Sequence, residues 1–191
     1  MNVRIILKAD FDEYFYEIKG FCRLAIQDCD NTITRHNMDY VFWKSDPASL
    51  MFKLYVKKSF EMLTLVYDEK NSLIGLAGVE PYNKDVALIG RRLFILSGYR
   101  KQQICHRYII IPQIEYIKQK GYKLGIGTVN EYKKVIYNII KRKIDQKSKY
   151  VYSNFELMKE PIFLNNTEQW VFGIYMDEKY KERTIKEWLC Y

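Results

Sequence analysis

The sequence predicts a mixed α/β fold, with elements in the order β-α-α-β-β-β-α-β-α-β-β, built as a single domain over 1–191. Three observations support this. Two apolar runs, Leu63 to Tyr67 and Leu73 to Val79, are separated by the wholly polar segment Asp68 to Ser72, the pattern of an antiparallel hairpin. A strand, basic turn, helix, strand, helix succession then occupies Leu93 to Tyr137. A chain of 191 residues, 48% hydrophobic and 28% charged, is long enough to bury one proper core and short for two.

The elements follow in order. Val3 to Leu7 is short and apolar, as a first strand should be, and Asp10 and Asp12 supply helix-start chemistry for Phe11 to Gln27. Asp28 to Asn37 reads as a turn, after which Asp46 and Pro47 cap and open a second helix to about Lys58. Beyond the hairpin, Val86 to Leu96 is a third long strand interrupted by Gly90, Arg91 and Arg92, where a glycine marks a bulge or a close backbone approach. The basic stretch Arg100 to Cys105 opens a helix that runs to Lys120 and stops at Gly121. Pro112 inside it removes a backbone donor and crowds the Tyr108 carbonyl, so a kink or a break is expected there. Leu124 to Val129 is a buried strand, and Asn130 caps a helix striped by Tyr132, Val135, Ile136, Ile139 and Ile140. Phe155 to Leu164 and Trp170 to Met176 form a hairpin around the Asn165 to Thr167 turn, before an amphipathic helix from Glu178 to Leu189.

Composition narrows the function classes. The formal charge of +8 invites nucleic-acid binding, but the basic residues are scattered and no compact nucleic-acid motif is present, so a solvated basic surface is the preferred reading. Cys22, Cys29, Cys105 and Cys190 form no C-x-x-C pair and read as reduced thiols. With only His36 and His106, a metal centre is not expected. No long apolar run is present, so neither a membrane segment nor secretion is expected, and a cytoplasmic setting is. The abundance of Lys, Ile, Asn and Tyr resembles proteins of AT-rich genomes, bacteriophages among them, for which host cytoplasm or a virion is the setting.

Strand order, the hairpin leading into Val86 to Leu96, the basic stretch Arg100 to Cys105 and the Asn130 to Tyr137 register together resemble the GNAT-type N-acetyltransferases, an acyl-CoA N-acyltransferase-like fold, over nearly the whole chain. In that family the basic stretch corresponds to an Arg/Gln-x-x-Gly-x-Gly/Ala loop, where a helix N-terminus with unpaired N–H groups cradles a pyrophosphate. Here Gln103 and Cys105 stand at the two small positions, and Lys133 replaces a small residue of the Asn-x-x-Ala-x-x-Leu-Tyr motif. The resemblance implies acetyl-CoA as co-substrate. It further implies backbone donors near Leu96, cofactor contacts from Arg100, Lys101, Gln102, Gln103, Ile104, Cys105 and Asn130, and protonation of the departing thiolate by Tyr137.

The base is open: Glu80 and Asp85 are the nearest carboxylates, and both also read as exposed turn residues. Arg91 and Arg92 either line an acceptor groove suited to an anionic substrate or are surface charges. Two functions therefore stand: an N-acetyltransferase acting on an unidentified small-molecule or protein amine, and a GNAT-like scaffold without catalysis that joins a protein assembly such as a phage particle.

Overall fold

The computed structural model describes residues 1–31, 50–100, 104–129, 154–164 and 167–190. They divide into two compact units, Met1–Glu80 with Gly90–Gln113, and Pro81–Ile89 with Ile114–Tyr191.

The first unit opens with β1 (Asn2–Leu7), a 3-10 turn (Lys8–Tyr14) and α1 (Phe15–Asn31). Strands β2 (Met62–Tyr67), β3 (Leu73–Pro81) and the later part of β4 (Val86–Ile95) follow. The order is β1-β2-β3-β4. β1 runs antiparallel to β2 with Asn2 opposite Tyr67 and Leu7 opposite Met62, and β2 antiparallel to β3 with Met62 opposite Val79. β2 is buried at every residue, which is why it reads as an unbroken apolar run and not as an alternation. Ile18, Phe21 and Ala25, three and four residues apart on α1, join Leu63, Leu65, Leu76 and Phe94 in one buried cluster. Each large side chain so buried contributes about 2 kcal/mol.

α1 continues through Asn31, past the turn expected from Asp28; a helix gains from packing its apolar face even where Asp and Asn favour turns. The second helix falls partly outside the described residues. Its visible end is a widened π-type turn, Phe52–Val56, followed by Ser59 donating its N–H to the Lys53 carbonyl. Near Pro112 the chain neither breaks nor loses helical geometry. A π-type turn over Cys105–Ile110 precedes α2 (Ile111–Gln119), with the Ile111 N–H reaching back five residues to the His106 carbonyl. Widening the preceding turn is how a helix absorbs a proline that cannot donate.

The second unit has the order β4-β5-β8-β6, with β5 Leu124–Val129, β6 Phe155–Leu157, β7 Ile162–Leu164 and β8 Thr167–Tyr175. Val86 to Leu88 of β4 pair in parallel with Leu124 to Ile126 of β5, whereas β5, β6 and β7 all pair antiparallel with β8. Gly125 admits α2 closely: a Cβ there would lie 2.5 Å from Ile117 Cδ1. The expected strand Phe155 to Leu164 is two strands, since Leu157 faces Phe172 while Ile162 faces Gln169, leaving Met158 to Pro161 as a bulged break around a proline. The expected helix Glu178 to Leu189 is likewise divided, into a 3-10 turn (Glu178–Glu182) and α3 (Ile185–Leu189). Thr184 and Glu187 form a reciprocal capping box that restarts the helix, a Thr-x-x-Glu signal present in the sequence. Among the described residues, no helix is long and apolar enough to cross a membrane.

Candidate active site

The interruption expected in β4 is real. Gly90 lies at φ +61 and Arg92 at φ +56, both left-handed, on either side of Arg91. Gln113 holds this bend. It is fully buried, its Oε1 accepts the Gly90 N–H at 2.8 Å, and its Nε2 donates to Thr64 Oγ1 at 3.4 Å. An amide buried without these partners would be costly, so helix and bend are tied together. Sequence reasoning missed Gln113; the only signal was a polar residue among Ile110, Ile111, Pro112 and Ile114.

Glu80, at the end of β3, is corrected from an exposed turn carboxylate to a buried one, 5% accessible. Its Oε1 accepts from Ser59 Oγ at 2.7 Å and from Lys53 Nζ at 3.3 Å, and its Oε2 from Arg91 Nε at 3.0 Å. Burial pushes its carboxyl up. The Ser59 hydroxyl, Arg91 and Lys53 together more than offset this and hold it below the ordinary carboxylate range. Lys53 is shifted down, first by burial and then by the fields of Arg91 and Arg92, against the attraction of Glu80. Asp85, in the second unit, pairs with Lys123 at 3.0 Å.

The segment after β4 is built around Asp28 of α1. Asp28 accepts from the Ser97 N–H at 2.9 Å, Ser97 Oγ at 2.5 Å and Arg100 Nη2 at 3.4 Å. Arg100 also donates its Nε to the Ile95 carbonyl at 2.8 Å and stacks over Phe94, 5.2 Å from the ring centre. The Arg100 guanidinium, expected to contact a phosphate, is here engaged by a carboxylate, a carbonyl and a ring. The Leu96 N–H, expected near the transferred carbonyl, donates instead to the Ile74 carbonyl at 2.9 Å because it continues the strand ladder. Ile104, already helical, has a buried side chain, and Cys105 follows half-buried. Lys101, Gln102, Gln103, Asn130 and Tyr137 lie outside the described residues, as does the helix expected after Asn130.

No family model and no curated protein matches the sequence. Solved structures do. A protein taken to be an N-acetyltransferase, from Lactobacillus plantarum, matches with TM-score 0.60 at 13% identity, over 93% of this chain and 100% of that one. A spermidine N-acetyltransferase chimera from Vibrio cholerae and hSSAT matches with TM-score 0.56 at 14% identity, over 95% and 98%. A GNAT family acetyltransferase from Elizabethkingia anophelis with acetyl-CoA bound matches with TM-score 0.51 at 15% identity, over 91% and 98%. The architecture expected from the sequence is thus the one found: this chain has the GNAT-type N-acetyltransferase fold.

Proposed function

We propose that the chain works as one acetyltransferase domain, passing an acetyl group from acetyl-CoA to an amine. The observation that carries this reading is the likeness in fold to acetyltransferases along more than nine-tenths of the chain, one of them holding acetyl-CoA. The parallel β4–β5 pair, set within antiparallel strands, adds to it, as does the basic stretch that follows β4 in sequence and leads into the helix carrying Ile104.

Bound acetyl-CoA would supply an activated thioester. The residues present suit it in part: the basic stretch Arg100 to Cys105 leads in sequence into the helix that carries Ile104, and the N–H groups and positive partial charge of a helix N-terminus suit a phosphate. Arg100, whose guanidinium is engaged elsewhere, contributes less. In this reading Tyr137 gives a proton to the thiolate and Asn130 supports the cofactor. Glu80 is a weak base, because an ionised carboxylate held below its ordinary range by three donors has little affinity for another proton. The amine proton therefore leaves through water, and Glu80 serves to orient Arg91.

Titration of acetyl-CoA into the full chain by calorimetry tests the reading, with a micromolar dissociation constant expected. Tyr137→Phe should slow turnover more than it weakens binding. Absence of binding at millimolar acetyl-CoA would remove the enzyme and leave the scaffold reading.

A further inference from the structure

We propose that the amine accepted by this chain carries an anionic oxyacid group, a carboxylate or a phosphate, and that the Arg91 guanidinium, oriented by Glu80 and accompanied by Lys53, receives it. The inference rests on the acetyltransferase reading above and names the substrate class of that activity.

The first argument is the geometry of Arg91. Glu80 takes its Nε edge at 3.0 Å, and among the described residues Arg91 makes no other hydrogen bond. Its side chain is 33% accessible, and the edge bearing both terminal nitrogens holds no partner among the described residues. That planar fork matches a carboxylate or a phosphate with two parallel hydrogen bonds. A buried carboxylate gripping the opposite edge fixes the direction of the fork before anything binds, which lowers the ordering cost of recognition.

The second argument is charge. Lys53 and Arg91 share one carboxylate, Glu80, and the fields of Arg91 and Arg92 both oppose the charge on Lys53, which is itself 23% accessible. Like charges gathered at a partly desolvated place gain from an anion and oppose a cation. The third argument is rigidity. Left-handed backbone at Gly90 and Arg92 flanks Arg91, and Gln113 holds the Gly90 N–H, so the fork sits on a fixed bend.

The experiment uses the full chain, acetyl-CoA and matched amines: γ-aminobutyrate against butylamine, phosphoethanolamine against ethanolamine, and spermidine as a polycation. At least one anionic member should exceed its neutral parent in kcat/KM by about tenfold or more. The pair that shows the ratio tells carboxylate from phosphate. Arg91→Gln should erase the ratio, mostly through KM; the ratios of the unaltered protein stand whether or not that variant folds. Turnover that favours the neutral amines or spermidine overturns the inference and leaves the acetyltransferase reading intact. If no amine is acetylated, whether or not acetyl-CoA binds, the anion site is decided separately. Arginine Nε resonances are then followed by NMR as succinate or inorganic phosphate is added without cofactor. A saturable shift in the unaltered protein supports the site, and its absence overturns it.

Discussion

Glu80 and Asp28, both in the first unit, are served by the same kinds of donor, a serine hydroxyl and an arginine, with very different results. Glu80 collects Ser59, Lys53 and Arg91; Asp28 collects Ser97 twice, through its hydroxyl and its N–H, and Arg100. The two arginines differ in what surrounds the rest of the guanidinium. Around Arg100 a backbone carbonyl and the Phe94 ring complete the contacts, so the cation closes a turn. Around Arg91 only the Nε edge is held among the described residues, and the side chain stays 33% accessible. One combination of residue types therefore yields a structural latch in one place and a poised donor in the other, and the deciding factor is the number of acceptors within reach of the arginine.

The sharpest way to break this contrast is Glu80→Ala. Removing the carboxylate leaves Lys53 and Arg91 repelling one another, and the loss should be about 3 kcal/mol, the low end for a broken buried pair because both cations are partly exposed. Urea denaturation measures it. Acid should separate the carboxylate from its packing. The folded value of Glu80 lies below the ordinary 4.5, so its contribution is complete above that pH and disappears as pH falls through the lower folded value. The stability gap between the unaltered protein and Glu80→Gln should accordingly be constant near neutrality and narrow below about pH 4.

Asp28→Ala should cost less, about 1.5 kcal/mol, since the freed Ser97 and Arg100 groups can turn to water. Faster hydrogen exchange at the Ser97 amide would locate the effect. The smallest change is expected for Arg100→Gln: if Arg100 is a latch, acetyl-CoA affinity measured by calorimetry should fall by less than about threefold, the scale of a weak ion pair. A loss of a hundredfold would mean that the arginine lets go of Asp28 to meet a phosphate.

Legibility from sequence tracked the range of the interactions involved. β2, β3 and β5 were plain because burial of a strand writes an apolar run into adjacent residues. The bend at Gly90 was plain for the opposite reason, a glycine inside such a run. The split at Met158 to Pro161 was missed because the apolar residues on both sides belong to strands that pair with the same partner, and only the register reveals two extra residues. Glu80 was misread because it precedes a proline and a turn, whereas its partners Lys53 and Arg91 lie 27 and 11 residues away. Arg100 was expected at a phosphate from the resemblance of its stretch to a family loop; its contact with Asp28, 72 residues distant, was in no local window. The architecture was readable, whereas the partners of Glu80 and the Asp28 contact of Arg100 were not, since those contacts lie in no local window.

The left-handed backbone at Arg92 bears on how this protein would drift in a laboratory library. Glycine or asparagine at that position relieves about 1 kcal/mol of steric strain. A library sorted for thermal survival should therefore enrich Gly and Asn at 92, whereas one sorted for turnover on an anionic amine should retain Arg at 91, and comparing the two codons would register how stability and recognition divide between neighbouring residues.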